Sequence, residues 1–393
     1  MCKAWAKFIK DKVWKSSAGV KVLKAKLTKR WTNYQPNLDK LGRAREEVTG
    51  LFCNENFIFC GQKNGKVGVY GVSTGDWIRD LSPKYLGAEF KLEESSETLV
   101  AGRGKVVAGV SWGVLLSVWN TKGEMDQLTS YYHRADHCQD DTCDCQGEID
   151  ISAIKVVDEE RLVFVLNQER KSTVMVLTKG EDGWGVKGKL WVEAGGCCAW
   201  EDPKVPLGCQ GDFFSTCGND GLHFLFGSAR TKCEDWCGHD EAEVTFDVEG
   251  ISNLFQEPPF LILTRHKWKQ DGRTSTALQV YDLESHQELK SIDLSGKSYD
   301  LLTNESVVVS VTGKSALIFN KKMLFDPKIP PEAIKSQEIS ILPSSHLSIS
   351  RTSIVLAPNS KGEEKGTLQA LNFWLERDQL EVKEHAEGDQ EAE

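Results

Sequence analysis

No stretch of this 393-residue sequence is long and apolar enough to span a bilayer, and no apolar run opens it, so neither a membrane helix nor a secretory leader is expected. It has no G-x-S-x-G elbow, no H-E-x-x-H and no phosphate-binding loop. Gly102-Arg103-Gly104-Lys105 stands between strand-like runs and reads as a hairpin turn. Histidines are few and scattered, and no pair of carboxylates can be nominated as acid and base. Without a fixed nucleophile, base or metal, catalysis is not expected. An excess of positive charge is missing as well. The net charge of -10 argues against nucleic acid as the main partner, because phosphate binding is driven by clustered Lys and Arg.

The charge is unevenly spread. Residues 1–30 are basic, with Asp11 the single acid, whereas the chain closes on the acidic ERDQLEVKEHAEGDQEAE. We read the first as a solvated helix face and the second as a solubilising tail. The twelve Cys lie in a long chain, some of them in strand-like phrases (Cys53, Cys60, Cys217), which favours reduced, core-packing thiols of a cytoplasmic or nuclear protein over a disulfide framework. His133, His137, Cys138, Cys143 and Cys145 are of the types zinc takes, yet they lack paired C-x-x-C knuckles and stand among Asp136, Asp140, Asp141 and Asp144. The expected reading is a polar surface loop. Cys233, Cys237 and His239 form a thinner cluster. No metal or cofactor is expected.

What the sequence does have is a repeated phrase. Lys66 to Leu81 reads as a strand, a polar turn at Ser73-Thr74-Gly75, and a second strand in which Trp77, Ile78 and Leu81 resume apolar character. Its core, VGVY at 67–70, recurs in outline as LSVW (116–119), VMVL (174–177), HFLF (223–226), LQVY (278–281), ALIF (316–319) and ALNF (370–373). Each follows another β-rich run: FIFCG (57–61), VVAGVSWG (106–113), LVFVLN (162–167), FFSTCG (213–218), FLILT (260–264), VVVSVTG (307–313) and SIVLAP (353–358). Turn signals such as Asn64-Gly65 and Asn219-Asp220-Gly221 separate the paired runs. A pair of β-sandwiches would also alternate strands and turns, but seven hairpins in series favour an all-β, seven-bladed β-propeller. Three parts are expected: a helical segment over 1–33, the propeller over 34–384, and an acidic tail over 385–393. To close the ring, Tyr34 to Leu41 and Gln379 to Lys383 compete for the edge beside Leu368 to Trp374. Pro36, tolerable on an edge strand, favours the N-terminal segment.

In the first segment Ala4, Trp5, Phe8 and Ile9 fall at helical spacing with lysines opposite, followed by Val13-Trp14 and a second amphipathic run to Trp31. CKAWAKFIKDKVWK, then Trp31, Leu41-Gly42 and EEVTGLFCNENFIFCGQKNGKVGVYGVSTGDWIRDL, resemble the F-box/WD-repeat family over residues 1–80: the end of an F-box and its linker, then a first blade. The family's Gly-His pair is Gly42-Arg43 here. Its Trp-Asp pair survives only loosely, as in Tyr70-Gly71 and Trp119-Asn120. The resemblance implies a WD-repeat propeller that acts without chemistry of its own, as the substrate receptor of a cullin-type (SCF) ubiquitin ligase. Trp5, Phe8, Ile9, Val13 and Trp14 would then be the partner-binding face toward a Skp adaptor. The alternative is a propeller scaffold in an assembly unrelated to ubiquitin. Arg pockets in the family read phosphorylated segments, and Arg103, Arg161, Arg230 and Arg265 are the scattered candidates here.

Overall fold

The computed structural model describes residues 25, 28–32, 36–84, 97–132, 149–168, 171–181, 183–193, 207–210, 213–218, 221–226, 244–246, 251–257, 259–268, 274–283, 285, 287–294, 296, 298–341, 344–358 and 366–373, the fourth sheet by its backbone alone. Their strands form seven antiparallel sheets of four strands each. In the first, Val48–Cys53, Phe57–Gln62, Val67–Gly71 and Trp77–Leu81 follow one another as a meander. The next five repeat this order, beginning at Leu99–Arg103, Ile149–Val156, Leu207–Gln210, Ile251–Glu257 and Ser298–Thr303.

The seventh sheet differs. It takes three strands from the end of the chain, Ser344–Ile349, Ser353–Pro358 and Thr367–Asn372, and its outer strand, Asn37–Arg43, from the beginning. Asn37 pairs with Asn372 and Arg43 with Thr367, so the N-terminal segment is the one that closes the sheet, running two residues beyond the expected Leu41. The first strand of each sheet touches that of the next, and Ser344–Ile349 touches Val48–Cys53, which completes a circuit.

Strand character follows burial. Second strands such as Val106–Ser111 and Val307–Thr312 are buried at every position because neighbouring sheets cover both faces, hence their unbroken apolar runs. The paired runs seen in the sequence are these second strands and the third strands beside them. Fourth strands stand at the rim, and many carry a β-bulge. The extra residue, opposite no partner, is Ile78 in the first sheet, Leu128 in the second, Lys187 in the third, Leu289 in the fifth and Leu41 in the seventh. At Leu41 the bulge leans on the first sheet. A Cβ on Gly75, whose φ is 70°, would overlap the Leu41 carbonyl, so only glycine fits there.

Candidate protein-interaction surface

Trp5, Phe8, Ile9, Val13 and Trp14 lie outside the described residues, as do Arg230 and both Cys/His clusters. The remaining arginines do not gather. Arg103 and Arg161 sit at turns between first and second strands, and Arg161 pairs with Asp158 at 2.6 Å. Arg265 is at the other end of its sheet, opposite Ile251. No shared phosphate pocket forms from these three. Cys53 and Cys60 are buried and free. Loss of hydration on burial pushes the Cys53 thiol up to about 12 and raises that of Cys60 too, so both are inert core groups, as expected for reduced thiols.

Two rim features stand out. The first is where the N-terminal segment meets the ring. Residues 28–32 are helical, and Trp31 is 0% exposed, stacked on Phe373 with ring centroids 3.8 Å apart and packed against Val307, Val309 and Ile354. Its indole Nε1 donates to the Arg351 carbonyl at 2.9 Å, and Thr28 Oγ1 donates to Ser306 Oγ at 3.0 Å. A buried indole needs such a partner, and here the partner is a turn of the seventh sheet. Across the same seam Asn304 Nδ2 donates to the Ser350 carbonyl, and Arg351 pairs with Glu305. The sixth sheet, the seventh sheet and the N-terminal helix are thereby tied at one point. Trp31 was legible as part of an amphipathic run, but its partner Phe373 lies far along the chain.

The second feature is a contrast along the outer rim. In the fifth sheet the bulged Leu289 and Ile292 pack in one cluster with Met323, Phe325 and Ile329, which belong to the connection 321–336 of the sixth sheet. That connection holds the helix Lys321–Phe325, capped by the Asn320 side chain, and a 3-10 turn at Pro331–Ala333. Lys290, 2% exposed, reaches into it and donates from Nζ to the carbonyls of Asp326, at 2.7 Å, and Ile329. Phe325 stacks on Phe260 at 4.4 Å. Lys321 is anchored by Glu257; burial pushes its ammonium below the usual range, with Glu257 opposing that shift.

In the first and second sheets the same rim is open. Trp77 is 38% exposed, Ile78 41% and Leu128 39%, and Leu38 on the neighbouring outer strand of the seventh sheet is 55% exposed. These four are the exposed large hydrophobic side chains among the described residues, and all stand on the outer strands of three consecutive sheets. The Arg45 guanidinium lies over the Trp77 ring, 3.3 Å from its centroid, and Trp77 Nε1 donates to Asp80 Oδ1 at 3.0 Å. Arg79 donates to the Glu124 carbonyl in the second sheet's connection 121–126. Among the described residues neither guanidinium has a carboxylate partner. Trp77, Ile78 and Leu81 all stand on the strand expected from the sequence, and of the three only Leu81 is buried.

Comparison with protein families and with curated proteins finds no match. Among solved structures the fold is similar to that of U3-55K and to the WD40 repeats of RRP9. Each is 13% identical with a TM-score of 0.54, and each comparison covers 86% of this chain and 98% of the other. The WD40 domain of Neurospora crassa Pan2 is 10% identical with a TM-score of 0.53, over 86% of this chain and 97% of that domain. At these identities the likeness speaks for the fold alone, a β-propeller like that of those WD40 domains.

Proposed function

We propose that this chain is a protein-interaction subunit: a seven-bladed propeller that holds other proteins at fixed places on its rim and makes or breaks no bond itself. Seven sheets whose first strands meet in a circuit support the blade count, and the WD40 neighbours support the scaffold reading. The observation that carries the proposal is the Trp31 seam. An N-terminal segment docked by a buried, hydrogen-bonded indole leaves the ring at a set point, so a protein bound to that segment would be held in a fixed relation to the propeller.

The finer reading, a substrate receptor of a cullin-type ubiquitin ligase in the cytoplasm or nucleus, rests on the resemblance of residues 1–80 to the F-box/WD-repeat family. In that reading Trp5, Phe8, Ile9, Val13 and Trp14 contact a Skp adaptor, and the mechanism is positional. The test is co-elution of the full chain with a purified Skp adaptor. A complex that disappears on Trp5→Ala supports the ligase reading. A folded chain that forms no complex removes it and leaves the scaffold reading with a different partner.

A further inference from the structure

We propose that the acidic segment 374–393 docks on the basic segment 1–30 of the same chain, an electrostatic clasp that covers the lysines of that segment. A partner of the lysine face must then displace the clasp before it can bind. The inference goes beyond the interaction-subunit reading and uses Lys3, Lys7 and Lys10, which the helical spacing sets opposite Trp5, Phe8 and Ile9, so the adaptor experiment and the one below can fail separately.

The ring brings the two segments to one point. Trp31 and Phe373 are both buried, and their rings stack with centroids 3.8 Å apart. Each is pinned on its own: Trp31 by its indole bond to the Arg351 carbonyl, and Phe373 by its backbone N–H, which donates to the Thr352 carbonyl at 2.9 Å. Segment 1–30 therefore joins the ring, and segment 374–393 leaves it, at the two sides of one aromatic stack. Residues 374–393 reach at most about 70 Å when extended. Residues 1–30 wound as a helix would span about 45 Å, so the whole of that segment is within reach. Tethering at a shared point makes the encounter intramolecular, with an effective concentration on the order of millimolar.

Charge selects the occupant. Residues 1–30 carry ten Lys or Arg and one acid, whereas residues 374–393 carry eight Asp or Glu and two Lys or Arg. The ring's own charges at this exit do not compete for the acidic segment. Arg351 is already paired with Glu305 at 2.6 Å and also feels Glu55, and Asp39 accepts from the Asn372 side chain at 2.7 Å. Lys40 and Arg43 stand further along the closing strand, opposite Gln369 and Thr367. These three carboxylates against one guanidinium push an acidic segment off this part of the ring, while Lys29, exposed on the helix beside Trp31, begins the run of opposite charge.

The experiment is carbodiimide coupling of the full-length monomer, which joins a Lys amine directly to an Asp or Glu carboxyl, with the products mapped by mass spectrometry. The expected result is coupling within one molecule between lysines of 1–30 and carboxyls of 374–393, falling at least about fivefold in 1 M salt, where charges are screened beyond about 3 Å. A full-length variant carrying Glu384→Gln, Glu387→Gln, Asp389→Asn, Glu391→Gln and Glu393→Gln should keep the melting temperature of wild type. In it the acetylation of lysines in 1–30 by an amine-reactive ester should rise at least about twofold. Coupling confined to dimers would assign the acidic segment to a second copy, and coupling chiefly to lysines of the sheets would place it on the ring. Lysine acetylation unchanged in the variant would show that the basic face is already open. Each of these results, like the absence of any coupling between the two segments, overturns the proposal.

Discussion

In the fifth sheet the bulged Leu289 packs with Phe325 and Ile329, while in the first sheet the equivalent Ile78 is 41% exposed, although both bulges are followed by a cation bonded to the next sheet's connection. The local strand geometry is therefore the same, and the difference lies in what the following sheet's connection between third and fourth strands lays over the bulge. A four-stranded blade needs its outer strand for the ladder. It does not need that strand's outward side chains, so the next sheet's connection can seal them, as 321–336 does at Leu289, or leave them exposed, as 121–126 does at Ile78. The sealed rim contributes to stability and the open one does so little, a division that mutations can test.

The largest difference is expected from truncating each rim. Leu324, 0% exposed on the buried face of the sealing connection's helix, should cost about 3 kcal/mol when changed to Ala. Ile78→Ala should change stability by no more than about 0.5 kcal/mol, because its side chain already meets water. Urea unfolding of the two variants measures both; equal losses would break the comparison.

A smaller effect should come from the anchor of that connection. Glu257→Gln leaves the Lys321 ammonium, 6% exposed, without its carboxylate and should cost about 2 kcal/mol at neutral pH. Its pH dependence sharpens the point. Burial already lowers the Lys321 pKa below 10.5, and losing Glu257 removes a group that opposes the shift. Between the lowered folded value and 10.5 the unfolded chain binds more protons than the native one, so the variant regains stability as pH rises. The gap from wild type should narrow on the alkaline side, and a gap that widens would show that the ammonium is not what the carboxylate compensates.

The smallest effect is expected where exposed ion pairs cross between sheets. Arg351–Glu305 and Lys105–Glu159 have side chains about half exposed, and changing either cation to Ala should cost less than about 0.5 kcal/mol. Thermal melts in low salt would reveal a larger share.

The two strands inside each sheet were legible in the sequence because burial on both faces makes them continuous apolar runs, as in VVAGVS at 106–111. The fourth strands were less so. A bulge sets Trp77 and Ile78 side by side on the rim and breaks the alternation that marks a half-buried strand, and a run such as Gln287–Leu294 is mostly polar. Two neighbouring bulky side chains just after a turn were the available signal for an exposed pair. The closing strand could be chosen because Pro36 and its place before the first sheet pointed to an edge, and the pairing of Asn37 with Asn372 agrees. The sealing connection is not legible in the sequence because its helix is short and opens on two lysines, and nothing local tells that Lys290 and Phe260 wait for it. The candidate adaptor face at Trp5 to Trp14 rests on sequence resemblance alone, since it falls outside the described residues.

The circuit of sheets is closed by its own N-terminal strand and locked by Trp31. The most direct test is the melting temperature of a chain lacking residues 1–43, set beside one lacking 385–393. The first should fall by more than about 10 °C, because an open edge and an empty Trp31 pocket together remove several kcal/mol, while the second should move by less than about 1 °C. An unchanged melting temperature without residues 1–43, or unfolding caused by the tail deletion, would contradict this closure.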